Sequence, residues 1–397
     1  MREVVVVEAL RTAVGTLGGT LKDLQAEDLA STVINALVDK TGIRTSIVDE
    51  VIFGQVRQSA DAPNVARVAA LRSGIPEEVP AYTVMRQCAS GLQAVNNGVE
   101  AILCGNADVV IAGGTESMSN AVFYLRGARY GLGNGNSVLV DSLTEGQVRS
   151  QPQDIYGVFN MGMTAENVAE RCGISREAQD LFSYESQKKA DEAIRTGRFE
   201  EEVIPVIIPQ KRGEAVIFKV DEYPRLAPLE KLASLKPVFR ENGSVTAGNS
   251  SGRNDGASGV LLMSADRAYE LGLKPLAIIR GFAAAGISPK VMGLGPVFAV
   301  EKVLKRLSMT LDDIDLIELN EAFAAQSLGC IQMLKPDQSR LNVNGGAIAL
   351  GHPVGSSGAR ILVTLIHELR RRKQKYGLAT LCIAGGMGLA DVVEAVY

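Results

Sequence analysis

The sequence predicts an α/β fold in which one unit occurs twice, with a loop-rich segment inserted between the copies, and three observations point there. Short β-branched runs at both ends of the chain (residues 4–7, 109–112, 316–319 and 381–384) alternate with amphipathic stretches, as strands buried between helices do. The two ends also echo one another. Cys88-Ala89-Ser90-Gly91 opens a segment with Leu92, Val95, Val99 and Ile102 at helical spacing, followed by a strand that stops at Gly113-Gly114. His352-Pro353-Val354-Gly355 opens another, with Leu362, Ile366 and Leu369, whose strand stops at Gly385-Gly386. Between them, residues 122–249 hold Gly127, Gly131, Gly133 and Gly135, several prolines and strongly polar helices such as 176–197. The expected division is 1–121 with 250–275 as one half, 122–249 as the inserted domain, and 276–397 as the other half.

Each element agrees with a soluble multidomain chain. A length of 397 residues, 46% of them hydrophobic, exceeds one ordinary domain. The N-terminal valines reach Glu8 too soon for a signal-peptide core, and no apolar stretch is long enough to cross a membrane. Forty-one basic against 45 acidic residues leave no basic face for nucleic acid, so an anionic ligand must be met locally. Five scattered cysteines without a metal-ligand doublet fit a reducing cytoplasm and give no metal site.

With only two histidines, the catalytic possibilities are few. Cys88 sits where a glycine-containing turn enters a helix, where unpaired N–H groups and the helix dipole favour a thiolate; the plain alternative is a small buried apolar residue. His352 lies in the glycine-rich stretch GGAIALGHPVG, where close backbone approach is possible. His367, on a helix with a basic C-terminal turn, is expected to be a partly exposed helix residue. Cys382 ends an apolar strand before Gly385-Gly386, where strand ends present side chains to a crevice, so proton transfer and core packing are equally open to it. Cys104, Cys172 and Cys330 lack such surroundings and are expected to be structural or incidental.

The segments RQCASGLQAV around Cys88, NEAFAAQ from Asn320, GGAIALGHPVGSSGAR around His352 and CIAGGMG from Cys382 resemble, in order and spacing, the active-site blocks of thiolases. LRTAVGTLGG, GGTESMS and TAGNSSGRNDGA extend the resemblance from about residue 4 to 395. It implies a thiolase fold, two βαβαβαββ halves stacked as a layered αβαβα core. It implies an acyltransferase that reversibly condenses two acetyl-CoA to acetoacetyl-CoA and CoA, or thiolyses a 3-ketoacyl-CoA. Carried over by position, Cys88 is the nucleophile that holds the acyl thioester and His352 activates it, while Cys382 is the acid and base. Asn320, through water, forms one oxyanion hole with His352, and the backbone N–H groups of Cys88 and Ala384 form another. The matching coenzyme A positions are Ser251, Ala247, Phe239, Arg225, Met161 and Ala322. Coenzyme A enters as substrate, acetyl-CoA and acyl-CoA are the other partners, and no metal or redox cofactor is implied. Two thiols converging on one substrate also suggest that mild oxidation joins Cys88 to Cys382, the alternative being that Cys88 alone is oxidised to a sulfenic or sulfinic acid.

Some positions depart from the family pattern. Asn160 stands where several short-chain thiolases carry histidine, Ala384 replaces a frequent glycine, and Ala13 and Phe298 replace prolines. Ketoacyl synthases and hydroxymethylglutaryl-CoA synthase, of related fold, look to use Cys-His-His or Cys-His-Glu sets, against which Cys382 argues. The resemblance also spans a degradative thiolase of longer chains and a non-catalytic acyl-CoA or lipid-binding member of the fold. Retention of Cys88, His352, Asn320 and Cys382 together speaks against the non-catalytic member. The glycine-rich stretch 123–143 suggests contacts between subunits, a homotetramer with a homodimer as alternative.

Overall fold

The computed structural model describes residues 2–397. The first half runs β1 (Val4–Thr12), α1 (Ala26–Thr41), β2 (Glu50–Gly54), α2 (Val65–Arg72), β3 (Ala81–Val84), α3 (Ser90–Leu103) and β4 (Val109–Ser117). A long segment carrying α4 (Met161–Cys172) and α5 (Arg176–Arg195) follows before β5 (Asn254–Ser264) completes the half. The second half runs β6 (Ala277–Gly286), α6 (Gly295–Leu307), β7 (Leu316–Leu319), α7 (Ala324–Leu334), α8 (Ser357–Arg372), β8 (Tyr376–Ile383) and β9 (Met387–Ala395).

The strands lie in the order β7-β8-β9-β6-β1-β5-β4-β2-β3. Within the first half β2 runs parallel to both β3 and β4, and β5 is antiparallel to β4 and β1. The second half repeats this pattern, with β7 parallel to β8 and β9 antiparallel to β8 and β6. Where the first half has β3, the second has only a single parallel bridge from Ile317 to Leu341. The halves join through two residue pairs, Val5 with Ile278 and Val6 with Ala277.

Three apolar clusters account for the layers. Leu29, Val33 and Leu37 of α1 and Ala66 and Ala69 of α2 cover the outer face of the first half. Val297, Val300 and Val303 of α6 with Ile331 of α7 cover the outer face of the second. Leu92, Val95 and Val99 of α3 meet Leu362, Leu365 and Ile366 of α8 between the two halves. Each fully buried Leu or Ile there contributes on the order of 2 kcal/mol. The middle helix α8 has a sheet on either side, so every residue from Ser357 to Leu369 is buried. His367 is therefore not partly exposed as its polar neighbours suggested; it is buried, and its Nε2 lies 2.8 Å from the carbonyl of Ala9.

The segment between β4 and β5 is fastened to β1 by charge. Buried Arg11 meets Glu202 through Nε at 2.5 Å and grips both oxygens of Asp221 at 2.8 and 3.0 Å. Among the described residues no helix is long and apolar enough to cross a membrane.

Candidate active site

Cys88 lies in the turn between β3 and α3. The preceding residue, Gln87, takes φ 47°, and Ser90 braces the bend by donating to Gln87 O (2.6 Å) while accepting from Arg86 N (2.9 Å). The expected low thiol pKa is not what the site produces. Burial pushes the Cys88 thiol up, and the N–H of Ala384, the Arg57 guanidinium and the N–H of Cys88 itself oppose this without overcoming it. The helix terminus is outweighed by desolvation, so the resting form is the thiol. The two backbone N–H groups named from sequence, of Cys88 and Ala384, are both near enough to this sulfur to favour its thiolate. Ala384 lies just beyond β8 and outside the strand expected to include it; the positive φ falls on Gly385 (88°) and Gly386 (87°), so its methyl group brings no backbone strain.

His352 follows Gly351, whose φ of 98° and contact with the Asn254 side chain leave no room for a Cβ. Its N–H donates to Asn254 Oδ1 at 2.9 Å, and its Nδ1 lies 2.6 Å from Ser357 Oγ. The serine hydroxyl donates to Pro353 O at 2.8 Å, so it can only accept from the ring. Nδ1 therefore carries the proton, leaving a lone pair on Nε2, which is buried and without a partner. Burial, with the field of Arg360, lowers the imidazole to about 4, so it rests neutral.

Glu116 at the end of β4 staples the histidine loop to the segment that follows β2. One carboxylate oxygen accepts from Val56 N and Gly355 N, each at 3.0 Å, and the other from Arg57 N at 3.1 Å. Neither Glu116 nor Ser357 was singled out from the sequence, although both lie inside the quoted motifs. Nothing in residue spacing marks which glutamate or serine turns inward.

Asn320 and Cys382 lie deeper. Asn320 follows β7, is fully buried, and neither polar atom of its side chain has a partner. Cys382, near the end of β8, is buried against Met292, Ala322, Phe323 and Ala325. Burial raises its thiol well above the usual range, and the nearby Cys88 and Cys330 add to this. Both Cys88 and Cys382 are free thiols.

A cavity of about 240 Å³ has Cys88, His352 and Ala384 in its wall together with Met161, Phe239, Ser251 and Ala322. Ser251 is tied to Ala322, whose carbonyl accepts from both its N (3.1 Å) and its Oγ (2.9 Å). Phe239 stands edge-on to Phe323, with ring centroids 6.1 Å apart. Asn160 also lines this cavity and caps α4, accepting from Met163 N at 3.0 Å. The other two expected coenzyme A positions, Arg225 and Ala247, line a separate hollow of about 260 Å³ with Lys231. There the Arg225 guanidinium lies 4.9 Å over the Tyr223 ring and donates to Tyr223 Oη (3.0 Å) and Ala247 O (3.2 Å). Cys172 and Cys330 lie away from the cavity wall; burial pushes Cys330 up to about 12, and its Sγ donates to Gly293 O. Among the described residues no cluster of His, Cys, Asp and Glu is arranged to hold a metal ion.

Comparison with known proteins matches this geometry to one family. The profile described as thiolase, N-terminal domain, matches residues 4–266, and that described as thiolase, C-terminal domain, matches 273–395. An acetyl-CoA acetyltransferase of Chromobacterium violaceum is 51% identical over 393 residues, covering 99% of each chain. A probable acetyl-CoA acyltransferase of Staphylococcus aureus is 48% identical over 395 residues, covering 99% of each. Among solved structures, the acetyl-CoA acetyltransferase of Bacillus anthracis superposes with a TM-score of 0.97 at 44% identity, covering 100% of this chain and 99% of that one. Human mitochondrial 3-ketoacyl-CoA thiolase superposes with a TM-score of 0.95 at 43% identity, with the same coverage. The Cys88 turn, the histidine loop and both halves of the fold thus fall within matched regions, and the chain belongs to the thiolase family.

Proposed function

We propose that the chain carries out reversible thiolysis and Claisen condensation through an acyl group held on Cys88. In the thiolysis direction, His352 Nε2 takes the thiol proton as Cys88 Sγ attacks the 3-keto carbonyl of a 3-ketoacyl-CoA. The bond between the α-carbon and that carbonyl breaks, and Cys382 delivers a proton to the α-carbon of the departing acetyl-CoA enolate. Asn320 and His352 stabilise the enolate oxygen, and the N–H groups of Cys88 and Ala384 stabilise the tetrahedral oxyanion. Coenzyme A then gives its thiol proton to the Cys382 thiolate and attacks the thioester, and the departing Cys88 thiolate recovers its proton from His352. These groups supply nucleophile, base, acid and oxyanion donors, and coenzyme A enters the cycle as a substrate.

The observation that carries this mechanism is the unpartnered Nε2 of a neutral His352, its Nδ1 pinned by Ser357, in the wall of the cavity that Cys88 lines. Incubation with acetyl-CoA and mass spectrometry test it: the acetyl group belongs on Cys88, Cys88→Ala abolishes it, and Cys382→Ser keeps it while losing carbon-carbon bond formation. An acetyl group found on Cys382 and not on Cys88 would reverse the two roles.

Acetoacetyl-CoA is the short-chain candidate suggested by the relatives named acetyl-CoA acetyltransferase. A longer acyl group is favoured by Asn160 at the histidine position and by Met118, Val148, Met292 and Val354 in the cavity wall. Ranking kcat/KM for 3-ketoacyl-CoA substrates of increasing length separates the two. We further propose a cytoplasmic homotetramer, with a homodimer as alternative. Phe123, Tyr130, Leu132, Val138 and Leu139 expose apolar surface on the segment expected to reach another subunit, and light scattering tests it.

A further inference from the structure

Two cations in the wall of the catalytic cavity have no task in the cycle described above. Arg57 and Arg253 both line the cavity that holds Cys88. Neither guanidinium makes a side-chain hydrogen bond or ion pair among the described residues, and Arg57 Nε is buried without a partner. The Arg57 guanidinium occupies the space that a Cβ at Gly146 would fill, so the glycine leaves it room in the cavity wall. The carboxylates whose fields the two arginines meet are engaged elsewhere: Glu116 accepts from three backbone N–H groups, and Asp141 caps the short helix Ser142–Val148 through Leu143 N at 2.9 Å. Arg57 is part-buried with no counter-charge, which is costly, while Arg253 stands exposed at the same cavity wall, and a ligand anion there would meet both.

The anion is not the nucleotide end of coenzyme A. Arg57 follows Val56, and the carboxylate that binds both their N–H groups also binds Gly355, three residues past His352, so Arg57 belongs to the reacting end. The cations at the other end are Arg225 and Lys231 in the separate hollow. We propose that Arg57 and Arg253 recognise a carboxylate at the far end of the acyl group, so that the preferred substrates are 3-oxoacyl-CoA thioesters of dicarboxylic acids. With a six-carbon member, 3-oxoadipyl-CoA, Cys88 would carry a succinyl group; coenzyme A and 3-oxoadipyl-CoA would give succinyl-CoA and acetyl-CoA. The inference rests on the acyl-cysteine cycle proposed above.

The test is kcat/KM for thiolysis of 3-oxoadipyl-CoA against 3-oxohexanoyl-CoA, which has a methyl group where the other has its carboxylate. The wild-type ratio is expected to favour 3-oxoadipyl-CoA by roughly tenfold to hundredfold, the range of a charge-assisted contact. Arg57→Leu and Arg253→Leu should each bring the ratio down about tenfold or more; a fall in one variant alone assigns the contact to that arginine. A wild-type ratio at or below one overturns the proposal whether or not the variants fold. So does a ratio untouched by both substitutions, or a parallel loss on both substrates, which would make the arginines tuners of Cys88. Absence of turnover with either substrate overturns the acyl-cysteine cycle as well.

Discussion

Ser357 Oγ holds His352 Nδ1 at 2.6 Å while donating its own proton to Pro353 O, so a single hydroxyl decides which ring nitrogen is left to act as base. Ser357→Ala removes that constraint without touching the cavity wall. Loss of one buried hydrogen bond is worth about 1–3 kcal/mol. Acylation of Cys88 by acetyl-CoA should therefore slow by roughly tenfold to hundredfold, with the protein still folded by circular dichroism. An unchanged acylation rate would show that the ring is oriented by other contacts.

The pH dependence follows from two shifts of opposite sense. His352 is lowered to about 4, so the base is already neutral throughout the physiological range, whereas the Cys88 thiol is pushed up. The acid limb of kcat/KM should accordingly lie near 4 and not near the ordinary histidine value of about 6.5, and iodoacetamide labelling of Cys88 should keep rising as pH increases through 8. Stability carries the same sign. An unfolded chain protonates His352 near 6.5 and the native one only near 4, so the neutral form's contribution is present above 6.5 and lost as pH falls towards 4. A kcat/KM midpoint at 6.5 would contradict the buried, neutral ring.

Much of this was legible in the sequence, for identifiable reasons. Cys88 and His352 announced themselves because each sits beside glycines that allow close approach, and the repeated helix-strand-glycine pattern placed α3 and α8 in equivalent positions. Three things were not legible. The thiol pKa depends on how much water the surrounding layers exclude, which outweighed the local effect of the helix end. The fate of His367 depends on α8 having a sheet on both faces, so its polar neighbours Glu368 and Arg370 misled. The separation of Arg225 and Ala247 from the cysteine cavity depends on the path of the inserted segment, which no periodicity records.

The approach of the cysteine and histidine loops depends on Gly114. A Cβ there would overlap the carbonyl of Gly355 and lie 2.8 Å from the Cα of Gly91, wedging the histidine loop away from α3. Gly114→Ala should cost about 1–3 kcal/mol as overpacking, and activity should fall further than the loss of folded protein explains. Chemical denaturation together with kcat on the folded fraction checks both. Full activity in a stable Gly114→Ala protein would mean that the loops tolerate separation.

Asn320 offers a separation of stability from catalysis. Its amide is completely buried and neither its oxygen nor its nitrogen has a partner among the protein's own groups. Such an amide is free to hold a water and through it, in the proposed cycle, an enolate oxygen. Asn320→Ala removes a buried amide that the protein itself does not bond but leaves a small void, and these effects oppose one another, so the melting temperature should change little. Carbon-carbon bond formation should fall by about 10²–10³, as when one oxyanion donor is lost. Acetylation of Cys88, which in the proposed cycle relies on the Cys88 and Ala384 N–H groups instead, should survive. Measuring acetyl-enzyme by mass spectrometry beside acetoacetyl-CoA synthesis distinguishes the two steps. If both fall together, Asn320 holds the site's shape and does not stabilise the enolate.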